Sequence, residues 1–590
     1  MNILRQVGVW LVRVLAVFGG LFLVLVLVGL VGLVLLNRGP QIADNSVLEI
    51  KLAGDLPEKA NSDLLSGLLG SDTLTLKDLL GDLKKAAKDN RIKAVLLRID
   101  GAALGWAQTE ELRDALVALR KSGKPVTGYA ELMNERLYYL ALAFDRFYMP
   151  PGGIFEMNGL VNSTSHYPGL FAKLGIGVQY FRYGKYKSQS GESLGRVAFS
   201  EPVKEMINAN LSEQFETFVA AVAAGRRIPV TEVRGLVDAS GLSAEWALSH
   251  RLIDGVAYWD EVESQLKKQT GSDPDKNLQT VSATDYTRVA PASVGLAVGA
   301  NKVGLIVAQG LIVSGNGGSP NPLSDGPTQG SEPLIKALRE AGRRDEIKAV
   351  VLRVDSPGGA GIGCDLVRRE VEKLRAKKPV IVSMGDSAAS GGYWISMDAT
   401  AIVAQPSTQT GSIGIWSVVP NLQKLYSNLA LTPETFKRGA HADELIGLRP
   451  LSPSEAQGYD ERLLFEYRRF VSLAAQGRHK PVADLEKIAQ GRTWLGRRAQ
   501  QLGLVDRLGG LDTALALAAD KAKLSPDSVT FEPIDQESSP LASLLGQDAL
   551  RLILRTLGIE QTVRQMAPTT GFDLLFKERL FPLASPEKFD

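Results

Sequence analysis

Cysteine and histidine are scarce in this chain. A single cysteine, Cys364, among 590 residues excludes an intrachain disulfide and a CxxC metal motif. The histidines His166, His250, His441 and His479 are scattered and form no HExxH, so no zinc site is expected. A dominant charge is also missing. With 67 Lys and Arg against 65 Asp and Glu, the net charge is +2, and no basic run offers a stripe for phosphates. That argues against a nucleic-acid partner. No metal and no cofactor are called for. A hydrophobic content of 45% and a charged content of 22% are ordinary for a globular protein, and the length suits about two to four domains.

Charge is wholly absent from residues 14–36, a run of 23 residues. At 1.5 Å per residue the run spans about 34 Å as a helix, enough for a bilayer core of about 30 Å. A cleaved signal peptide would have a shorter apolar region and a small-residue exit. Here the run leaves through Asn37, Arg38, Gly39 and Pro40, so an uncleaved anchor is expected. Arg5 and Arg13 precede it. The positive-inside rule then puts residues 1–13 in the cytoplasm and the bulk of the chain on the far side, the periplasm in a bacterium.

The remainder repeats itself. Residues 91–100 read RIKAVLLRID and residues 346–355 read EIKAVVLRVD, an offset of 255 (355 − 100). Leu79, Leu80 and Leu83 match Leu334, Ile335 and Leu338 at the same offset, and Pro151, Gly159 and Gly184 match Pro406, Gly414 and Gly439. A register held over a hundred residues marks a duplicated domain. Near-continuous apolar runs such as residues 94–99 alternate with helical spacings such as residues 74–88, so each copy is α/β with a mainly parallel sheet. The first copy is placed at residues 46–266 and the second at 292–524. Polar, Pro-containing residues 267–291 are read as a linker, residues 61–72 and 314–331 as flexible loops, and residues 525–590 as a C-terminal extension with one amphipathic stretch.

The copies differ where chemistry would lie. Residues 384–396 (MGDSAASGGYWIS) put Ser390 between a short apolar strand and a helix start, with Gly391 and Gly392 beside it. A hydroxyl there meets free N–H groups, and the glycines admit a substrate backbone. At the same offset the first copy has Glu135, Arg136 and Leu137. The turn at residues 355–359, DSPGG, becomes DGAAL at 100–104. Conversely, the first copy has Tyr186, Lys187 and Ser188 where the second has His441, Ala442 and Asp443. One copy holds a serine and the other a lysine, which suggests one composite site. A serine needs a base, and a lysine serves if burial brings its pKa toward neutrality. Lys185 and His441 are the rival bases.

The set DSPGG (355–359), AASGGYW (388–394), TGSIG (410–414) and YKS (186–188) resembles the signal peptide peptidase A, or protease IV, family in its long, duplicated, membrane-anchored bacterial form. The resemblance runs from the anchor to about Ala519. It implies Ser390 as nucleophile, Lys187 as general base, Ser412 orienting the lysine, and Gly359 and Gly391 supplying oxyanion-hole N–H groups. It also implies Clp protease/crotonase-like domains, a homotetramer, and cleavage of apolar signal peptides left in the inner membrane. A crotonase-like acyl-CoA enzyme and a non-catalytic membrane scaffold are the alternatives.

Overall fold

The computed structural model describes residues 40–60, 73–187, 189–296, 299, 301–317, 328–526 and 529–534. The apolar run at 14–36, the loop at 61–72 and the amphipathic stretch in the C-terminal extension lie outside them. No described helix is long and apolar enough to cross a membrane.

The duplication is plain in the elements. Helix Leu76–Lys88 has its counterpart in Ser331–Arg343, and helix Trp106–Arg120 in Gly361–Arg375, both at an offset of 255 at each end (331 − 76; 361 − 106). Strands Ile92–Ala103 and Ile347–Ser356 begin at the same offset. Helix Leu76–Lys88 starts with a capping box between Thr75 and Asp78, and it buries Leu76, Leu79, Leu80 and Leu83, the i, i+3, i+4 face read from the spacing.

In the first copy six parallel strands lie in the order 255–256, 146–149, 126–130, 92–103, 46–55 and 280–282. In the second, strands Thr493–Leu495, Gln409–Gly411, Val380–Ala389, Ile347–Ser356, Asn301–Gln309 and Val529–Pro533 lie side by side. All but the first pairing are parallel. Strand Ala401–Ala404 also pairs with Val380–Ala389, and Arg507–Leu508 extends it.

Two boundaries need correction. Residues 267–291 do join the copies, but they are folded: Thr280–Ser282 pairs with Val47–Glu49 and Tyr286 is fully buried. The second copy runs past residue 524, because Val529–Pro533 pairs with Asn301–Leu305. Each copy therefore closes on a short edge strand. Such strands carry few apolar residues, so composition alone makes them look like linker. Within the span 314–331, Thr328–Gly330 forms a strand paired with Leu311–Val313, and residues 318–327 lie outside the described residues.

The copies share one structure rather than touching at a rim. A continuous apolar core joins Leu97, Leu112 and Phe147 of the first copy to Val303, Val351, Ile381 and Leu511 of the second. Antiparallel strands Gly177–Tyr183 and Ile415–Asn421 pair one copy with the other, with Tyr183 opposite Ile415. Arg353, 1% exposed, meets Glu58 at 2.7 Å and Glu111 at 3.0 Å. Burial opposes the charge of Arg353, but the carboxylates of Glu111 and Glu58 more than offset it and hold the guanidinium protonated.

Glu110 of the first copy accepts the N–H (2.9 Å) and the O–H (2.8 Å) of Ser407 in the second. Burial pushes its carboxyl from 4.5 up to about 7, against the two Ser407 bonds that lower it. The folded chain thus keeps a proton that the unfolded chain has lost, so this group's contribution to stability falls as pH rises between those values. Glu110→Gln has no proton to lose. Its stability is expected to gain on the wild type's from pH 4.5 to about 7, by up to about 3 kcal/mol. Parallel melting-temperature profiles for the two proteins would contradict this.

Candidate active site

Strand Val380–Ala389 runs into Ser390, and helix Gly391–Ser396 begins at once. Ser390 turns this corner at φ 53°, ψ −113°, a left-handed conformation that costs a non-glycine residue about 1–3 kcal/mol and places its side chain at the helix N-terminus. Its own N–H donates to Gly411 O at 2.9 Å. Ser412, one residue further along that neighbouring strand, is also left-handed, at φ 51°.

Lys187 arrives from the first copy, four residues after the cross-copy strand ends at Tyr183. Its Nζ lies 2.9 Å from Ser390 Oγ, 2.8 Å from Ser412 Oγ and 2.8 Å from Ser412 O. The residue is 2% exposed. The structure thus brings together Ser390, Lys187 and Ser412, across 203 residues of chain between the first two. The seat of the lysine is built by the second copy: Tyr186 N–H donates to Gln490 O at 2.9 Å, and a Cβ on Gly491 would collide with the backbone of Lys187. No motif marked residues 490 and 491 in advance, because their part is played by backbone.

The two rivals are elsewhere. Lys185 is exposed, with its amine 4.8 Å from the centre of the Tyr186 ring. His441 is exposed and its Nδ1 lies 3.2 Å from Glu455. His441, Glu444 and Glu455 gather potential metal ligands, but both Glu455 oxygens are bonded by Arg449, at 2.7 and 2.8 Å.

Gly359 and Gly391 also converge on Ser390. A Cβ on Gly391 would lie 2.8 Å from Gly359 N and 2.5 Å from the buried Cys364 Sγ, and one on Gly358 would lie 2.9 Å from Ser390 Cβ. The glycine turn is clamped by Ile312, whose N–H donates to Gly358 O and whose carbonyl accepts from Ala360 N–H, each at 2.8 Å. No described residue accepts from the N–H of Gly359 or Gly391. Two free backbone donors beside a hydroxyl are what an oxyanion requires. Burial pushes the Cys364 thiol up to about 12, which keeps it an inert packing group.

In the first copy the same corner is filled. Glu135, at the position of Ser390, is buried and accepts N–H bonds from Asn158 and Gly159, both at 2.7 Å. Arg136, at the position of Gly391, donates to the carbonyl of Leu104, the counterpart of Gly359, at 2.5 Å. A side chain sits where the second copy leaves two amides open.

The chain is similar to known proteins over most of its length. The model of Peptidase family S49 matches residues 118–273 and 372–525. The chain is 35% identical to "Serine protease SPPA, chloroplastic" of Arabidopsis thaliana, over 89% of this chain and 76% of that one. It is 32% identical to "Protease 4" of Salmonella typhi, over 85% of this chain and 83% of that one. It is also 32% identical to "Putative signal peptide peptidase SppA" of Enterococcus faecium, over 36% of this chain and 62% of that one. With both of its copies matched by the family and a composite serine–lysine corner between them, this chain belongs to Peptidase family S49, and it is a serine protease.

Proposed function

We propose that this protease is a Ser–Lys endopeptidase, with Ser390 as nucleophile and Lys187 as general base, acting at a membrane on apolar peptides. The observation that carries the reading is the contact of Lys187 Nζ with Ser390 Oγ and with both oxygens of Ser412. A neutral amine has two N–H groups and one lone pair. Ser412 O and Oγ take the hydrogens, and the lone pair is left for the Ser390 proton.

As the amine accepts that proton, Oγ attacks the peptide carbonyl carbon, and the C=O electron pair moves to an oxygen held by the N–H groups of Gly359 and Gly391. The intermediate collapses, the C–N bond breaks, and the ammonium protonates the leaving amine. Water then attacks the acyl-enzyme, giving its proton to Lys187. Collapse breaks the C–Oγ bond, frees the acid and returns the proton to Ser390. No metal or cofactor takes part.

Signal peptides remaining in the membrane after secretion are the proposed substrates. The name of the Enterococcus relative supports that choice, as does apolar surface by the glycine turn: Ile362 is 71% exposed and Leu366 47%. The apolar run at 14–36 would anchor the enzyme in the bacterial inner membrane with its catalytic part in the periplasm. Exposed Leu431, Phe436 and Leu445 support self-association, as the homotetramer the resemblance implies. The acyl-CoA and scaffold alternatives fall with membership of a peptidase family.

The test is to treat the protein with an acylating serine-protease inhibitor and locate the adduct by mass spectrometry. The adduct is expected on Ser390 and absent from Ser390→Ala. An adduct on another residue, with Ser390→Ala still able to cleave an apolar peptide, would overturn the assignment.

A further inference from the structure

The strand that delivers the nucleophile is irregular just before it does so. Val354 pairs with Met384 and Ser356 pairs with Ala388, so the single residue Asp355 stands against the three residues 385–387. A bulge of this kind bends its strand and re-aims the residues beyond it. Beyond this one lie Ser390 on one side and the Gly358–Gly359 turn on the other. The two carboxylates at the bulge, Asp355 and Asp386, each lie four residues before a proposed catalytic group (359 − 355; 390 − 386).

Each carboxylate is tied to backbone. Asp355 Oδ1 accepts the N–H of Ser387 at 3.0 Å, closing the bulge from inside. Asp386 reaches into the other copy. Its Oδ1 accepts the N–H of Ala107 at 2.7 Å and of Gln108 at 3.2 Å. These are free donors in the first turn of helix Trp106–Arg120, whose cap residue, Gly105, has no side chain to satisfy them. A Cβ at Gly105 would overlap the Asp386 carboxylate. The first copy thus lacks a side-chain cap and receives one from the strand carrying Ser390.

The charges around the pair oppose its ionisation. Glu58 and Asp386 add negative charge around Asp355, with Arg353 as the counter-charge. Glu58 also faces Asp386, with Arg136 opposing it. Burial, then the Asp386 charge, push the Asp355 carboxyl up, and burial raises that of Asp386 as well. Two crowded acids weaken a core. Their contribution here is geometry.

We propose that Asp386 and Asp355 are positioning residues: they hold the bulge that sets Ser390 against Gly359, and Asp386, gripped by the first turn of a helix in the lysine-bearing copy, sets Ser390 in register with Lys187. The inference rests on Ser390 being the nucleophile. Locating the inhibitor adduct tests that point separately, because the adduct site does not depend on Asp386.

The experiment uses the full-length protein and apolar-peptide hydrolysis, with kcat per active site counted by the acylating inhibitor. Asp386→Ala is expected to lower kcat by about thirtyfold with KM within about twofold, as misplacement of a reacting group by a fraction of an ångström would. Asp386→Asn keeps an oxygen that accepts both N–H bonds and should return kcat to within about threefold of wild type. Gly105→Ala, in the other copy and at an ordinary φ of −77°, expels the carboxylate and should reproduce the kcat loss. Combined with Asp386→Ala it should add nothing further. If Asp386→Ala does not melt cooperatively, Gly105→Ala carries the test alone. A kcat within twofold of wild type in Gly105→Ala would overturn the proposal. So would losses that multiply in the double variant, or a loss that Asp386→Asn fails to restore.

Discussion

Lys187→Ala is expected to lower kcat/KM by about a hundredfold or more, the range seen when a general base is removed. The substitution deletes the amine 2.9 Å from Ser390 Oγ, the proposed acceptor of the serine proton. It also strips Ser412 O and Oγ of their partner. Lys185→Ala and His441→Ala should keep most activity, since one amine lies over a tyrosine ring at the surface and the imidazole faces Glu455. The pH profile separates a chemical role from a structural one. With Lys187 as the base, the wild-type rate is expected to rise with pH along a limb that the residual rate of Lys187→Ala lacks. An inactive Lys185→Ala beside an active Lys187→Ala would move the base by two residues.

Total loss of activity is expected when the copies are separated. Residues 46–290 hold Lys187 and residues 291–534 hold Ser390, and these limits keep the edge strands Thr280–Ser282 and Val529–Pro533 with the sheets they complete. Neither half alone should hydrolyse an apolar peptide. Co-expressed halves should regain hydrolysis, because the shared core, the Arg353–Glu58 pair and the cross-copy strands give them an interface to re-form. That recovered activity should vanish with Lys187→Ala in the first half or Ser390→Ala in the second. Full turnover by the second half alone would refute the composite site, since that half has no Lys187.

The parts of this architecture legible in the sequence are those that repeat. A fixed offset exposed the duplication, and the departures from it led to Ser390 and Lys187, because a residue type present in one copy and missing from the other stands out without any other chain to compare. The strands were legible where both faces are buried, as at Ile92–Ala103. The edge strands were not, since a three-residue strand such as Thr280–Ser282 has no periodicity to read. Contacts made through backbone were equally silent. Gly491 under Lys187 and Gly105 under Asp386 look like any loop glycine until a partner hundreds of residues away fills the space where a side chain would be. Asp386 itself reads as a polar residue in a Gly-Asp-Ser turn. Its acceptor role depends on a helix start 279 residues earlier.

The pairing of Gly177–Tyr183 with Ile415–Asn421 has a consequence for how the protease comes into being. A chain is made from its N-terminus, and domains fold as they emerge. The lysine is therefore synthesised 203 residues ahead of the serine it contacts, on a domain whose own corner is plugged by Glu135 and Arg136. The growing polypeptide thus passes through a stage in which it holds the proposed base and not yet the proposed nucleophile. With Lys187 and Ser390 in their proposed roles, hydrolytic power requires the later strand to pair with the earlier one. On that reading the order of synthesis is itself a safety catch, released when the second copy joins the first.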